Sequence, residues 1–264
     1  MRTINCHLIY HLGDCIAALH FLINCTRINP VRFNFSCRED YHGQLQEIIE
    51  FHTDVITLVP LNAPVMEATF DEDSIDLWIS ASGVNWFEPS KMLNGFIDQS
   101  TYFLFHWIEV AEQMNIICPF RNKYDIIHNQ EVLLEPLDFT DKFDYLFINS
   151  NPASGQCSEY TVERSDDFIE RLQHNSRSVI TTRKVGDIPC TTDYNLSIVD
   201  IGKLSISNVS NIFAINTGPI HLCMNKWSIP KLDRFFIWAS METFKYGPNF
   251  RSEKYLSHFI DNEL

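Results

Sequence analysis

The sequence predicts an α/β protein built on two parallel sheets. Three observations lead there. Short apolar runs with strand character alternate with segments of helical period. The alternation occurs twice, on either side of a polar, irregular stretch at Pro119–Asp141 that carries Pro119 and Pro136. Each half also opens in the same way, with an apolar strand, a tight polar loop and then a helix. The chain has 264 residues, which suits two small domains of roughly 100–200 residues or fewer each. The division expected is residues 1–125 and residues 126–264, each a Rossmann-like unit.

In chain order, Thr3–Tyr10 reads as a buried strand, broken by His11-Leu12-Gly13-Asp14. Ile16, Leu19, Leu22 and Ile23 then recur at helical spacing. Val31–Ser36 is strand-like, Tyr41–Phe51 helical, and Val55–Val59 a strand ended by Pro60. Ile75–Ser80 is a further strand, followed by a loop at Gly83–Gly95 and a long helix at Tyr102–Ile117. In the second half, Tyr145–Ile148 is a strand leading into the loop Asn149–Gln156, and Thr161–Gln173 is an amphipathic helix. Ser178–Thr182 and Leu196–Val199 read as strands, Leu204–Ile212 as a short helix and Phe213–Ile215 as a short strand. A helix follows from Ile220 to about Trp227, and Lys231–Leu264 reads as helical or irregular.

Composition narrows the function classes. Hydrophobic residues make up 45% and charged residues 20%, an ordinary globular balance. The formal net charge is -14, and a surface this acidic repels nucleic acid and anionic lipid. The eight cysteines are scattered, with no C-x-x-C pair to suggest zinc. They read as reduced, buried thiols of a cytoplasmic protein. The apolar stretch Cys15–Cys25 lacks the basic flank and small-residue cleavage site of a signal peptide. No apolar run is long enough to predict a transmembrane helix.

Four stretches could carry chemistry, each at the end of a predicted strand. In Ala214–Leu222 (AINTGPIHL) a Thr-Gly turn precedes Pro219, which suits a first helical position. The outward N–H groups of a helix start attract an anion. Gly218 allows close approach and the Thr217 hydroxyl offers a hydrogen bond, so this is a plausible diphosphate cradle or an ordinary capped turn. In His11-Leu12-Gly13-Asp14, Asp14 fits a helix N-cap and also a general base facing a cleft. One glycine there falls short of a dinucleotide fingerprint, which argues against an NAD(P)-type oxidoreductase. The small polar residues of Asn149–Gln156 could bracket a phosphate or ribose, or form a turn-rich loop. Arg183 and Lys184 could neutralise a leaving diphosphate, or form a solvated charged pair. Asp71-Glu72-Asp73 reads as a solvated acidic turn rather than a metal triplet, so no metal is expected. Trp86 and Phe87, in the aromatic loop, could wall an acceptor site or plug the core.

The combination resembles the lipopolysaccharide heptosyltransferase family, glycosyltransferase family nine, whose members adopt the GT-B fold. The residues that carry the resemblance are His11–Leu22 (HLGDCIAALHFL), Phe147–Gly155 (FINSNPASG) and Asn216–Leu222 (NTGPIHL). The resemblance implies two Rossmann-like domains facing each other across a cleft, an N-terminal acceptor domain and a C-terminal nucleotide-sugar domain. It implies transfer of a sugar from a nucleotide-diphosphate sugar to a hydroxyl of a glycan or glycolipid, inverting and metal-independent, with no cofactor beyond the donor. Asp14 would be the general base, with His11, Gly13 and Trp86 on the acceptor side. Asn149, Ser150, Ser154, Arg183, Lys184, Asn216, Thr217, Gly218, Pro219 and His221 would line the donor. Two departures stand out. No Lys lies between Lys142 and Lys184, where the family carries one near the diphosphate, and Asn216 replaces the usual Asp. They leave open a non-catalytic relative that binds a nucleotide sugar or a partner protein.

Overall fold

The computed structural model describes residues 1–62, 67–78, 99–122, 125, 131–150, 162–175, 177–215 and 217–238. The chain divides into two compact units, Met1–Val132 and Leu133–Leu264. Each is an α/β unit on its own parallel sheet.

In the first unit, strands β1 (Arg2–His7), β2 (Val31–Arg38), β3 (Ile56–Leu61) and β4 (Ile75–Asp76) form a sheet of order β3-β2-β1-β4. All of its pairings are parallel. Helix α1 (Leu12–Ile28) joins β1 to β2, and α2 (Glu39–Ile48) joins β2 to β3. Parallel neighbours need such crossovers. Leu19, Phe21, Leu22 and Ile23 of α1 are all buried, together with His20. A helix covered this fully lies inside the unit rather than on it. Helix α3 (Gln99–Gln113) supplies Trp107, which stacks on Phe21 at 4.6 Å. The Asn29 carboxamide fastens the segment after α3, donating to Ile117 O and accepting from Ile117 N at 2.9 Å each.

In the second unit, β5 (Phe143–Ile148), β6 (Val179–Thr181), β7 (Val209–Ile215) and β8 (Arg234–Trp238) form a parallel sheet of order β6-β5-β7-β8. Alternate residues serve opposite faces, as the strand period requires. Leu146, Ile148, Ile212 and Ala214 pack with α5 (Ile198–Ser207) and the single turn α6 (Ile220–Cys223). Phe147, Phe213 and Ile215 pack on the other face with Ile169 of α4 (Val162–His174). Gly202 of α5 lets α6 come close: a Cβ there would meet Leu133 Cδ2 at 2.9 Å and Leu222 Cβ at 3.1 Å.

Several expected elements are corrected. Leu196–Val199 is not a strand, because Ser197 caps α5 instead. Its Oγ accepts from Asp200 N at 3.2 Å, and Asp200 Oδ2 accepts from Ser197 N at 3.0 Å. That Ser-x-x-Asp box marks a helix start in the sequence itself. The expected helix at Leu204–Ile212 ends at Ser207, and β7 begins at Val209. Arg234–Trp238, read as helical or irregular, is the edge strand β8. Pro60 does not end β3, which runs on to Leu61. An edge strand tolerates proline, because a missing N–H on the open side breaks no ladder bond. The helix after Pro219 spans Ile220–Cys223 and does not reach Trp227. The expected loop at Gly83–Gly95 lies outside the described residues.

Candidate functional site at the two strand ends

Both sheets have the same switch in strand order. The chain builds outward from β1 through β2 to β3, then returns to place β4 on the other side of β1. It does the same around β5, with β6 on one side and β7 on the other. Parallel sheets bind ligands outside the carboxyl ends of strands at such a switch. The predicted site residues that the structure describes sit beside these two strand ends.

At the first switch, β1 runs through Leu8–Tyr10 into α1. The backbone of His11 caps α1, with no hydrogen bond from its side chain to the helix start. Asp14 is therefore not the N-cap, one of the two roles the sequence allows it. It is the third helical residue, in the first turn, beside the buried Gly13. No hydrogen bond to its carboxylate is found among the described residues. Burial pushes its pKa up to about 6, against a smaller opposing pull from His11. The Tyr41 hydroxyl lies close by and donates to Tyr10 O at 3.4 Å.

This edge holds residues that the sequence reading passed over. His7 ends β1 and Asp76 ends β4, and the two are register partners. His7 Nδ1 lies 2.9 Å from Ser74 Oγ, and its ring stacks on Phe70 at 3.6 Å. Asp76 Oδ1 accepts from Trp78 N at 2.8 Å. Burial lowers the His7 pKa against the pull of Asp76, and raises that of Asp76. No local pattern marks this pair, because 69 positions and three crossovers separate its members in the sequence.

At the second switch the polar groups are knotted together. Asn149, fully buried, follows β5 directly. Its Oδ1 accepts from Arg183 N at 2.7 Å and from Thr182 Oγ1 at 3.3 Å, and its Nδ2 donates to Arg183 O at 3.0 Å. Asn149 N donates to Thr182 Oγ1 at 3.1 Å, and Ser150 Oγ lies 3.2 Å from the same hydroxyl. Arg183 pairs with Asp166 of α4 and donates to Asn149 O at 3.3 Å. Lys184 pairs with Asp193 at 2.6 Å on the surface. Both predicted cations thus already hold a carboxylate.

Beyond β7, Thr217 and Gly218 lead into Pro219, which caps α6 with helical backbone angles. The Thr217 hydroxyl donates to Ile215 O at 3.2 Å. The N–H groups of Ile220, His221 and Leu222 donate to Thr217 O, Gly218 O and Pro219 O. With only four residues, α6 has little of the dipole of a long helix. His221 is half-buried, and desolvation pushes its pKa down to about 4, so the imidazole is neutral near pH 7. Of the predicted site residues, Trp86, Ser154 and Asn216 lie outside the described residues.

Asp71, Glu72 and Asp73 are exposed. Among the described residues, no group of three or more His, Cys, Asp or Glu is placed to hold a metal ion. No described helix is long and apolar enough to cross a membrane.

This geometry defines a class by fold: two parallel α/β units, each with a switch in strand order. The chain is similar to the iron-containing dodecameric glycosyltransferase TibC from enterotoxigenic E. coli, at a TM-score of 0.54 and 11% identity over 97% of this chain. It spans 62% of the length of TibC, less than two thirds. It is also similar to the E. coli heptosyltransferase WaaC, solved with ADP-2-deoxy-2-fluoro heptose, at a TM-score of 0.53 and 12% identity, over 98% of this chain and 93% of WaaC. At such identities the likeness is one of fold. No family model matches the sequence, and no curated protein does.

Proposed function

We propose that the chain is a glycosyltransferase that takes a sugar from a nucleotide-diphosphate sugar and passes it to a hydroxyl of a glycan or glycolipid. The observation that carries this reading is Asp14: a carboxylate with a pKa of about 6, beside the switch of the first sheet, in a fold shared with a heptosyltransferase. A base whose pKa lies near the working pH is suited to proton abstraction.

In this reading residues 1–125 act as the acceptor domain and residues 126–264 as the nucleotide-sugar domain. Asp14 takes the proton of the acceptor hydroxyl. The acceptor oxygen bonds to the anomeric carbon, the bond from that carbon to the diphosphate oxygen breaks, and the configuration inverts. His11, Gly13 and Trp86 lie on the acceptor side. Asn149, Ser150, Ser154, Asn216, Thr217, Gly218, Pro219 and His221 serve the donor. To act on the diphosphate, Arg183 or Lys184 must release its carboxylate and the Thr217 hydroxyl must turn from Ile215 O. No metal or cofactor takes part. In this reading the reaction runs in the cytoplasm.

The committed cations favour a second reading, in which the chain binds a nucleotide sugar or a partner protein without catalysis. Thermal-shift measurements against ADP-, UDP-, GDP- and CDP-sugars, followed by product analysis with the donor that binds, separate the two. Binding with neither transfer nor slow hydrolysis supports the second. The absence of any nucleotide-sugar stabilisation rejects the transferase reading and leaves only the partner-protein form of the second.

A further inference from the structure

The gap between His7 and Asp76 has the dimensions of a ligand site. His7 Nε2 and Asp76 Oδ1 are 3.9 Å apart, too far for a direct hydrogen bond. One oxygen placed about 2.8 Å from each atom closes the triangle at roughly a right angle, which is an ordinary hydrogen-bonding arrangement. In the tautomer in which the Ser74 hydroxyl donates to Nδ1, the ring proton is on Nε2, the nitrogen that faces Asp76. Asp76 brings an acceptor. The occupant must therefore accept from one side and donate to the other. A hydroxyl does both, whereas a phosphate or carboxylate oxygen would face the Asp76 charge with no proton to give.

The surroundings favour a ligand over a sealed internal contact. The Asp76 side chain is 34% exposed and that of His7 is 11% exposed, so the gap opens on the Asp76 side. Phe70 holds the imidazole in place by stacking at 3.6 Å and 7°. The half-buried rings of Tyr10 and Trp78, 4.2 Å apart, lie in the same strand-end region. Aromatic surface beside a hydrogen-bonding pair is how an apolar sugar face and its hydroxyl are held together. The switch between β1 and β4 lies at this pair.

We propose that the His7–Asp76 gap is a hydroxyl subsite that takes one hydroxyl of a sugar ring, with Ser74 and Phe70 as positioning residues. The choice of a sugar rests on the transferase reading, while the demand for a hydroxyl rests on the 3.9 Å gap and on the Nε2-protonated tautomer.

The test is an NMR titration of the full chain carrying ¹⁵N-labelled histidine with methyl α-D-mannoside, methyl α-D-glucoside and methyl β-D-galactoside. Sodium sulfate and sodium acetate serve as anion controls. Saturable movement of the His7 ring nitrogens by at least one glycoside, and by neither anion, is expected. His7→Phe keeps the stack on Phe70 and removes both ring nitrogens, and in calorimetric titrations of parent and variant it should weaken that glycoside about tenfold, the worth of one or two net hydrogen bonds. If His7→Phe does not fold, His7→Gln replaces it with the same expectation. The proposal is overturned if no glycoside moves His7, which would leave the gap to water, if the anions move it equally, or if the variant binds as tightly as the parent. Nucleotide sugars are titrated separately. Glycoside binding without nucleotide binding would remove the transferase reading and keep the subsite, and the converse result would do the opposite.

Discussion

The two strand ends are built on opposite principles. At the first, Asp14 sits in a helical turn with a raised pKa and no hydrogen bond among the described residues, and His7 and Asp76 stand 3.9 Å apart without touching. At the second, Asn149, Thr182 and Arg183 form a closed network, and both cations hold carboxylates. A carboxyl group partly withdrawn from water is held above its usual pKa, as Asp14 is. A satisfied network mainly rigidifies its surroundings. In the proposed mechanism the first edge is the reactive one, and the second network clamps the segments after β5 and β6.

Asp14→Asn should sharpen this contrast most. In the proposed mechanism it lowers turnover by about 10²–10⁴-fold, the usual worth of a general base, and leaves donor binding nearly intact. The same variant should melt at a higher temperature than the parent at neutral pH. The folded pKa of about 6 lies above that of an unfolded aspartate, so folding favours the protonated form. That contribution is complete below the unfolded pKa and disappears as the pH rises through about 6. Above that pH the variant should gain up to about 2 kcal/mol. A variant no more stable at pH 7.5 than at pH 4.5, relative to the parent, would deny the burial of this charge. In the parent, kcat/KM should rise with pH and level off above about 6.

Asn149→Ala tests the second edge. It leaves the Arg183 N–H without its acceptor and opens the link between β5 and the segment after β6. A loss of about 2–3 kcal/mol is expected in denaturant unfolding. A loss below about 0.5 kcal/mol would show that the network is not a structural clamp. Gly202→Val follows, with about 1–3 kcal/mol lost to overpacking where α5 meets α6. If that turn holds a diphosphate, nucleotide-sugar affinity should fall as well.

The smallest stability effects belong to the cations. Arg183→Met should cost about 1 kcal/mol, since its pair is partly buried. Lys184→Ala should leave the melting temperature unchanged, because its pair with Asp193 is on the surface. These variants also break the comparison if it is wrong. Should either one abolish the thermal shift given by a nucleotide sugar, its cation leaves its carboxylate for the ligand, and the second edge is reactive too.

Much of the fold could be read locally. The period of Ile16, Leu19, Leu22 and Ile23 placed α1, and the apolar runs placed β1, β2, β5 and part of β7. The misreadings came from short apolar runs of ambiguous period, as at Leu196–Val199 and Leu204–Ile212. There the cap at Ser197 was the better guide, because a cap marks a boundary that hydrophobicity does not. The strand Arg234–Trp238 was missed because its partner, β7, decides its conformation.

The candidate site divides in the same way. The sequence alone placed Asp14, Asn149 and Thr217 after strands, since a strand followed by a polar turn is a local pattern. Only the tertiary structure decided what surrounds them. Burial sets the Asp14 pKa, Asp166 and Asp193 hold the two cations, and the parallel pairing of β1 with β4 sets His7 beside Asp76. Strand order and desolvation depend on residues far apart in the chain, and His7 and Asp76 stand 69 positions apart.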